Sequence, residues 1–320
     1  MMKHLLHTVI AVCVGAALVG SAAAQDKLKI GSAVQVFPPY YLPISAAQQK
    51  GIFKKNGLDV EWVPSQSGAD LTRAFAASAI KIALSAAATD TLAIARGVPL
   101  SVIGNLQPYD DFAIWSSSKG HINKGEDLKG GKIGVSRFGG LEHSYAQLAA
   151  KKFGIDNDVQ FVSTGGINES LAALVTGSID AVVLPVANML TLKLEGKIRE
   201  IAEIKSFLPK DWISYSVVAQ KDFIANDPGT VKKVVQSIFE ANRFIMSAEG
   251  KPWAVAKMKE INNYSDKGAA ISYDTLGLSQ DGKIGREGFK NLLDFMSEYQ
   301  ILKKDEVPPV EKIVDDQFVK

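Results

Sequence analysis

The sequence predicts an α/β protein of two units, each a mostly parallel sheet flanked by helices. Three observations support this prediction. Short apolar runs typical of strands alternate with runs typical of helices, which is the pattern of βαβ units in a parallel sheet. The alternation stops at a polar loop around residues 119–129 and then begins again. The last third of the chain has apolar residues at helical spacing.

The first unit alternates strands and helices from residue 27 to residue 104. Strands are predicted where apolar and β-branched residues cluster, and helices where a longer run ends at a glycine such as Gly51 or Gly97. The predicted strands are 27–34, 58–63, 80–85 and 100–104, and the predicted helices are 44–50, 69–79 and 89–96.

The second unit repeats the alternation. Its predicted strands are 112–115, 132–136, 158–162 and 179–184, and its predicted helices are 142–153 and 168–176. We interpret this block as a separate α/β unit.

The C-terminal third contains two helical stripes. Their residues are Val231, Val234, Val235, Ile238, Ala241 and Ile245, then Phe289, Leu292, Leu293 and Met296. Both stripes indicate core packing, and we expect the sheet of the first unit to be covered by them. The second unit is then an insertion with chain crossings near 111–116 and 214–221. We therefore assign 25–112 and 219–320 to lobe 1 and 113–218 to lobe 2.

Residues 1–24 have the features of a cleaved export signal. Lys3 precedes an apolar run, and small residues at 21–24 suit cleavage after Ala24. The run is shorter than the roughly 20 apolar residues of a spanning helix. Cys13 follows Val12 rather than a small residue, so we expect no lipid anchor. The sequence thus predicts a free protein in the periplasm.

Composition excludes several classes of function. Cys13 is the only cysteine, so the mature chain has no disulfide framework, thiolate metal site or cysteine nucleophile. Removing Lys3 lowers the net charge from +2 to +1, and this balance argues against a nucleic-acid or acidic-membrane partner.

Four strand-to-helix turns are candidates for binding a ligand. In open α/β sheets, ligands bind outside the carboxyl ends of the strands, where helix N-termini present unpaired N–H groups. The turns are 36–43, 65–70, 85–90 and 136–140. Each has a structural alternative: Ser67 and Asp70 fit a capping box, Asp90 suits a helix cap, and Gly139-Gly140 suits a tight turn. Four such turns on two units favour a cleft site.

Charged and aromatic residues in these turns suggest the chemistry of the ligand. Arg137 and Arg73 are the cationic candidates, of which Arg137 is favoured, although either could be a solvated side chain. Phe37, Tyr40, Tyr41 and Phe138 could enclose an apolar group, but could equally be core.

Catalytic and metal-binding motifs are incomplete. Residues 134–139 read G-x-S-x-x-G, one residue too long for a nucleophile elbow. Gly131-Lys132 lacks the rest of a Walker sequence, and Asp281-Gly282 lacks the acidic residues of a calcium loop. The mature chain has only two histidines, His121 and His143. Of these, only His143 adjoins a candidate turn.

With these residues identified, the chain resembles the nitrate/sulfonate/taurine branch of periplasmic binding proteins, which also includes carriers of thiamine precursors. The resemblance covers nearly all of 27–320. It is carried by residues 41–43, 49–60, 67–70, 82–85, 127–130, 132–139 and 171–181 and by Pro185.

The resemblance implies a type II periplasmic-binding-protein fold with two lobes, a hinge and a cleft. It implies a protein that binds a small molecule without catalysis and docks on the transmembrane subunits of an ABC permease. We expect a monomer with no nucleic-acid partner, cofactor or metal. Residues expected at the ligand are Phe37, Tyr40, Tyr41, Ser67, Gly68, Ser85, Ala86, Ala87, Arg137, Phe138, Gly139, Gly140 and Pro185.

Ligand identity stays open at this stage. The turns and Arg137 suit nitrate or a small organic anion such as a sulfonate, taurine or a carboxylate, whereas Asp70 suits an amine-bearing or neutral heterocycle such as a pyrimidine. Lys81, Leu184 and Val186 also depart from the residues common in the family. A pyrimidine synthase of the yeast type resembles this fold, but that family carries a cysteine-rich motif. A periplasmic sensor subunit is a third hypothesis.

Overall fold

The computed structural model describes residues 27–34 and 36–319. The predicted export signal and Cys13 lie outside the described residues. Within them, no helix is both long and apolar enough to cross a membrane.

The first sheet has five strands with one antiparallel member. Its strands are β1 (Leu28–Ser32), β2 (Val60–Pro64), β3 (Ile82–Ala86), β4 (Leu100–Gln107) and β10 (Tyr215–Gln220). Their order is β2-β1-β3-β10-β4, and only β10 runs against the other four. We call this sheet and the helices that cover it the first lobe.

The second sheet has the same arrangement. Its strands are β5 (Phe112–Ser117), β6 (Lys132–Val135), β7 (Gln160–Ser163), β8 (Ala181–Pro185) and β9 (Ile198–Glu203). The order is β7-β6-β8-β5-β9, with β5 antiparallel to the rest. This sheet and its helices form the second lobe. In each lobe the antiparallel strand is the one by which the chain enters from the other lobe, which reverses its direction.

Helices cover both sheets. Those of the first lobe's N-terminal part are α1 (Pro38–Gln49), α2 (Ile52–Lys55), α3 (Gly68–Ala76) and α4 (Ala87–Ala95). The second lobe contains α5 (Leu141–Phe153), α6 (Ile167–Thr176) and α7 (Val186–Leu194). The C-terminal helices are α8 (Lys221–Asn226), α9 (Pro228–Ile245), α10 (Gly250–Asn262), α11 (Asp266–Asp274), α12 (Arg286–Glu298) and α13 (Val310–Ile313).

Helix α1 begins earlier than the sequence predicts. The turn expected at 36–43 is mostly helical, because α1 starts at Pro38 with Pro38 and Pro39 in its first turn. Proline is favoured there because the first N–H groups of a helix have no intrahelical partner. Tyr40 and Tyr41 consequently project from a helix and not from a loop.

The two C-terminal stripes pack in different hydrophobic cores. The α9 stripe is in the core of the first lobe, as predicted. The α12 stripe is not: Phe289, Leu292 and Met296 belong to a cluster with Ile133 and Tyr145 of the second lobe. The Phe295 ring lies 5.5 Å from the Tyr145 ring, which anchors α12 to α5. Helix α12 therefore packs across the junction between the lobes.

The strands of the two sheets do not follow the lobe boundaries expected from the sequence. Phe112 begins a strand of the second sheet, and residues 215–218 lie in the first sheet. We therefore propose that the chain crosses between lobes at 108–111, the first crossing, and at 207–214, the second crossing. Four strands in each sheet end at the edge facing these crossings.

Candidate functional site

An open groove of about 850 Å³ lies between the lobes, and we call it the interlobe groove. Its first-lobe wall is the beginning of α3 with one face of α4. Its second-lobe wall is the loop after β6 with the beginning of α5. These walls include Ser67, Gly68, Ala69, Thr72, Ala88 and Thr89 on one side and Ser136, Arg137, Gly139, Gly140, Leu141 and Glu142 on the other.

The helix that begins in the first-lobe wall has a side-chain cap. Ser67 is the N-cap of α3: its Oγ accepts a hydrogen bond from the Asp70 backbone N–H at 3.2 Å and donates one to Asp70 Oδ2 at 2.8 Å. The Asp70 carboxylate also pairs with Arg73. Asp70 and Arg73 thus neutralise each other at the groove's edge, leaving neither as a free charge for a ligand.

Gly68 allows α3 and α4 to approach closely. A Cβ at this position would lie 2.9 Å from Thr89 Cγ2, closer than side chains normally pack. The backbone of Gly68 is therefore part of the groove wall itself.

The second-lobe wall contains an arginine without a protein partner. Arg137 is exposed, and within the described part of the chain its guanidinium has no hydrogen bond or ion pair. Ser136 Oγ donates to Glu142 Oε2 at 3.0 Å, which holds that carboxylate. Helix α5 begins after Gly140, whose lack of a side chain leaves the first N–H groups uncapped. Arg137 and this helix end both favour an anion, whereas the Glu142 carboxylate in the same wall opposes one.

The Gly139 turn is held by a histidine. Gly139 adopts φ +70°, a left-handed conformation that favours glycine. Its N–H donates to His143 Nδ1 at 3.1 Å, and the His143 ring packs edge-on against Phe138 and Phe161. Burial lowers the pKa of His143. His143 therefore shapes the wall, and among the described residues no cluster of acids or histidines suits a metal ion.

Phe37 and Tyr40 lie outside the groove in a buried aromatic cluster. The Phe37 ring is 4.9 Å from Tyr40 and 5.0 Å from Tyr215, and the Tyr40 and Tyr215 rings are 5.6 Å apart. Tyr215, the first residue of β10, was not singled out by the sequence, because the run Ser214-Tyr215-Ser216 matches no binding motif. We call these three residues the aromatic cluster.

Other expected ligand residues are placed apart from the groove. Tyr41 departs most from the expectation: it is fully buried in the first lobe, and its hydroxyl donates to Asn262 Oδ1 at 2.8 Å. Phe138 is 60% exposed. The Ala87 N–H donates to the Ser214 carbonyl in the second crossing at 2.9 Å.

The remaining predicted residues end their strands. Ser85 is buried, and Ala86 and Pro185 are half-buried residues at the ends of β3 and β8. The groove thus combines five of the predicted residues, which are Ser67, Gly68, Arg137, Gly139 and Gly140.

Three aspartates near the junction have strongly altered acidity. Asp90 does not cap α4, as its position suggested; its Oδ2 accepts from Ser216 Oγ at 2.6 Å, beneath the helix. Burial raises the pKa of Asp90 to about 7. Burial likewise raises the pKa of Asp110 to about 6 and of Asp111 to about 7. Asp110 and Asp111 were not singled out from the sequence, and the adjacent pair of acids is the signal that could have found them.

Comparison with known proteins places these features in context. A protein-family model described as NMT1/THI5 like matches residues 38–249. The 4-amino-5-hydroxymethyl-2-methylpyrimidine phosphate synthase of Candida albicans is 27% identical over 233 residues, which are 68% of this chain and 66% of that protein. The chain therefore spans just under two thirds of this relative's length. A putative thiamine biosynthesis protein of Haemophilus influenzae is 25% identical over 277 residues, 83% of this chain and 85% of that protein.

Solved structures share the fold. The periplasmic aliphatic sulphonate binding protein SsuA of Escherichia coli superposes with a TM-score of 0.77 at 16% identity, covering 92% of this chain and 93% of that chain. A Candida albicans protein described as exhibiting the generic periplasmic binding protein fold gives a TM-score of 0.74 at 17% identity, covering 92% and 98%. The predicted two-lobed α/β fold is confirmed.

One expectation is contradicted. We expected a chain without catalysis, but several curated relatives are named as phosphate synthases, at 24–30% identity. These relatives are enzymes by name, so resemblance to binding proteins does not exclude catalysis on this fold. The absence of cysteine from residues 25–320 was too narrow a criterion.

Proposed function

Because the chain belongs to the NMT1/THI5-like family, we propose that it is a solute-binding subunit of an ABC importer. It captures a small organic molecule in the interlobe groove and delivers it to a membrane permease. The observation that carries this proposal is the groove itself, walled by the start of one helix from each lobe. The similar fold of the sulphonate-binding protein of Escherichia coli supports it.

The proposed setting is the periplasm. The N-terminal sequence suits export and cleavage after Ala24, and the mature chain acts as a free monomer. This setting brings the protein into contact with the outer face of its permease.

The proposed ligand is a small organic anion, such as a sulfonate, taurine or a carboxylate, or nitrate. Arg137 and Arg96 both line the groove and have no ion pair among the described residues. A guanidinium matches planar oxyanions by paired hydrogen bonds, and the uncapped start of α5 adds N–H donors. Apolar residues such as Leu92 and Leu141 line the same groove and suit an organic body.

Capture proceeds by closure of the lobes. A ligand in contact with Gly68 of the first lobe and Arg137 of the second stabilises the closed arrangement, because the open one offers only one wall at a time. The permease then recognises the closed form.

Substitution of Arg137 tests this proposal. Residues 25–320 are screened by thermal shift against taurine, alkanesulfonates, nitrate, aromatic carboxylates and pyrimidines. A ligand at a hundredfold excess over its Kd stabilises the folded state by about 2.7 kcal/mol. We expect an anionic hit whose affinity falls at least tenfold in Arg137→Ala, since a charge-assisted hydrogen bond contributes about 1.5–3 kcal/mol.

Arg73→Ala is the matched control, because Arg73 is exposed, pairs with Asp70 and does not line the groove. Equal losses of affinity in both variants would show that the effect comes from the change in net charge and not from a contact between Arg137 and the ligand. No hit from any class, together with normal uptake of all candidates by a deletion strain, would reject import of these solutes.

A pyrimidine is the second candidate. The names of the Haemophilus and fungal relatives favour it, either as an imported thiamine precursor or as the product of a synthase. A pyrimidine hit in the thermal-shift screen supports import. Restored growth without added pyrimidine in a yeast strain that lacks its own synthases supports synthesis, with an Arg137→Ala chain as the comparison.

A further inference from the structure

The second crossing is bonded to the first lobe beside the first crossing. The Ser214 N–H donates to the Gln107 carbonyl at 3.2 Å, and the Ser214 carbonyl accepts from Ala87. Strand β4 ends at Gln107 and β5 begins at Phe112, so four residues connect the sheets at the first crossing. Any change in the angle between the lobes must be absorbed in these segments.

Asp110 is fixed to the second lobe. Its Oδ1 accepts from the Phe112 N–H at 3.0 Å, and its Oδ2 accepts from the Tyr145 hydroxyl of α5 at 2.5 Å. Ser214 Oγ of the second crossing donates to the same Oδ2 at 3.2 Å. Asp110 is 3% exposed. Its carboxylate therefore links α5 to both crossings by hydrogen bonds.

The carboxylate of Asp111 is fixed to the first lobe, whereas its carbonyl accepts from the Val186 N–H of the second lobe at 2.8 Å. Its Oδ1 accepts from the Tyr215 hydroxyl at 2.8 Å, and Tyr215 belongs to the aromatic cluster with Phe37 and Tyr40. Two neighbouring carboxylates in one crossing are thus held by phenol donors from opposite lobes.

Charged and titratable groups around the pair do not neutralise it. From α5, Glu142 and Tyr145 face Asp110. From the end of the second sheet, Lys205 faces Asp111, but its ammonium is paired with Glu203 at 2.9 Å. The two carboxylates therefore repel each other with little compensation.

The remaining neighbours are phenols. They are Tyr40, Tyr109, Tyr215 and Tyr264, and the pKa of each is raised, chiefly by burial. Phenols that stay neutral donate hydrogen bonds but bring no positive charge. Between about pH 5 and pH 8 the pair therefore passes from mostly neutral to carrying two negative charges.

We propose that Asp110 and Asp111 are the positioning residues of the hinge, one carboxylate fixed to each lobe, so that the charge on the pair sets the angle between the lobes. The inference deepens the proposed function, because ligand capture requires that angle to change. Its test requires no ligand, so a flat ligand screen and a failure of this inference are separate results.

Distances between spin labels on the two lobes measure the angle. Residues 25–320 contain no cysteine, so Lys54→Cys in α2 and Lys152→Cys in α5 give one exposed label per lobe. In the ligand-free protein we expect the mean label separation to change by about 2 Å or more between pH 5 and pH 8, the scale of a domain rearrangement. In Asp111→Asn the change is lost.

Asp90→Asn is the matched control, because Asp90 is also buried with a raised pKa but bonds within the first lobe. It keeps the full change in label separation. Tyr215→Phe retains both carboxylates and removes a bond that lowers the pKa of Asp111, so the midpoint moves to higher pH. A constant separation in the native sequence, or an unchanged profile in either Asp111→Asn or Tyr215→Phe, overturns the inference.

Discussion

At the scale of single residues, Asp90 is a carboxylate that folding removes from water. It is 2% exposed, and its hydrogen bond from Ser216 is not accompanied by a cation in the described residues. A buried charge without a cationic partner is costly, so the neutral form is favoured. The pKa of Asp90 rises from 3.8 to about 7. In mildly acidic solution the folded protein therefore retains a proton that the unfolded chain has released.

The raised pKa of Asp90 predicts how the free energy of unfolding depends on pH. The contribution of Asp90 to stability is fully present below pH 3.8 and is lost as pH rises to about 7. Asp90→Asn keeps an oxygen that can accept from Ser216 but cannot ionise. We therefore expect a smaller loss of unfolding free energy between pH 5 and pH 8 than in the native protein, measured by urea denaturation. The exposed Asp59→Asn is the control, and equal slopes in both variants would contradict the prediction.

At the scale of elements, α3 and α5 face each other across the groove with different N-termini. Helix α3 is capped by the Ser67 side chain, whereas α5 starts at a glycine. Because the cap occupies one of the free N–H groups of α3, α5 has more donors to offer an anion. In the proposed function, the N-terminus of α5 therefore offers an anion more N–H donors than the N-terminus of α3 does.

Removing the α3 cap separates stability from binding. Ser67→Ala leaves the Asp70 N–H without its acceptor, and we expect a loss of about 1 kcal/mol in unfolding free energy. Ser265→Ala removes the equivalent cap of α11, where Ser265 Oγ accepts from the Gly268 N–H at 3.1 Å outside the groove. Both variants should lose similar stability by denaturation. Only Ser67→Ala should weaken binding of the ligand found in the thermal-shift screen, and equal affinities would remove Ser67 from the site.

At the scale of the whole molecule, the lobes touch beyond their crossings. Tyr264, which follows α10, donates from its hydroxyl to the Ala187 carbonyl in α7 at 2.6 Å. Helix α12 provides a second contact through Phe295 and Tyr145. These contacts favour the arrangement in the structure, so the angle between the lobes depends on residues far from the ligand.

Tyr264→Phe tests this dependence. Loss of the hydrogen bond should cost about 1 kcal/mol and leave the second lobe less restrained, which increases the radius of gyration of the ligand-free protein in X-ray scattering. Tyr273→Phe removes a bond of the same kind to the Ile245 carbonyl, entirely within the first lobe. It should reduce stability without changing the scattering. An identical radius in all three proteins would show that Tyr264 does not restrain the lobes.

Much of the fold could be predicted because its signals are local. Helices α3 to α6 and the strands from β1 to β8 lie close to their predicted positions, since each is marked by apolar spacing and an ending glycine or small residue. Strands β9 and β10 were not predicted. Strand β10 lies between β3 and β4, more than a hundred residues away in the chain, and such pairing depends on tertiary context.

The sequence by itself determined the α/β order, the two sheets and the candidacy of Ser67, Gly68, Arg137, Gly139 and Gly140, because turn and cap chemistry is encoded by neighbouring residues. Only the tertiary structure decided that Tyr41 faces the core, that α12 packs across the junction between the lobes and that the carboxylates of Asp110 and Asp111 bond to opposite lobes. Burial and long-range hydrogen bonding decide these outcomes. They depend on which distant segments meet when the chain crosses twice between its lobes.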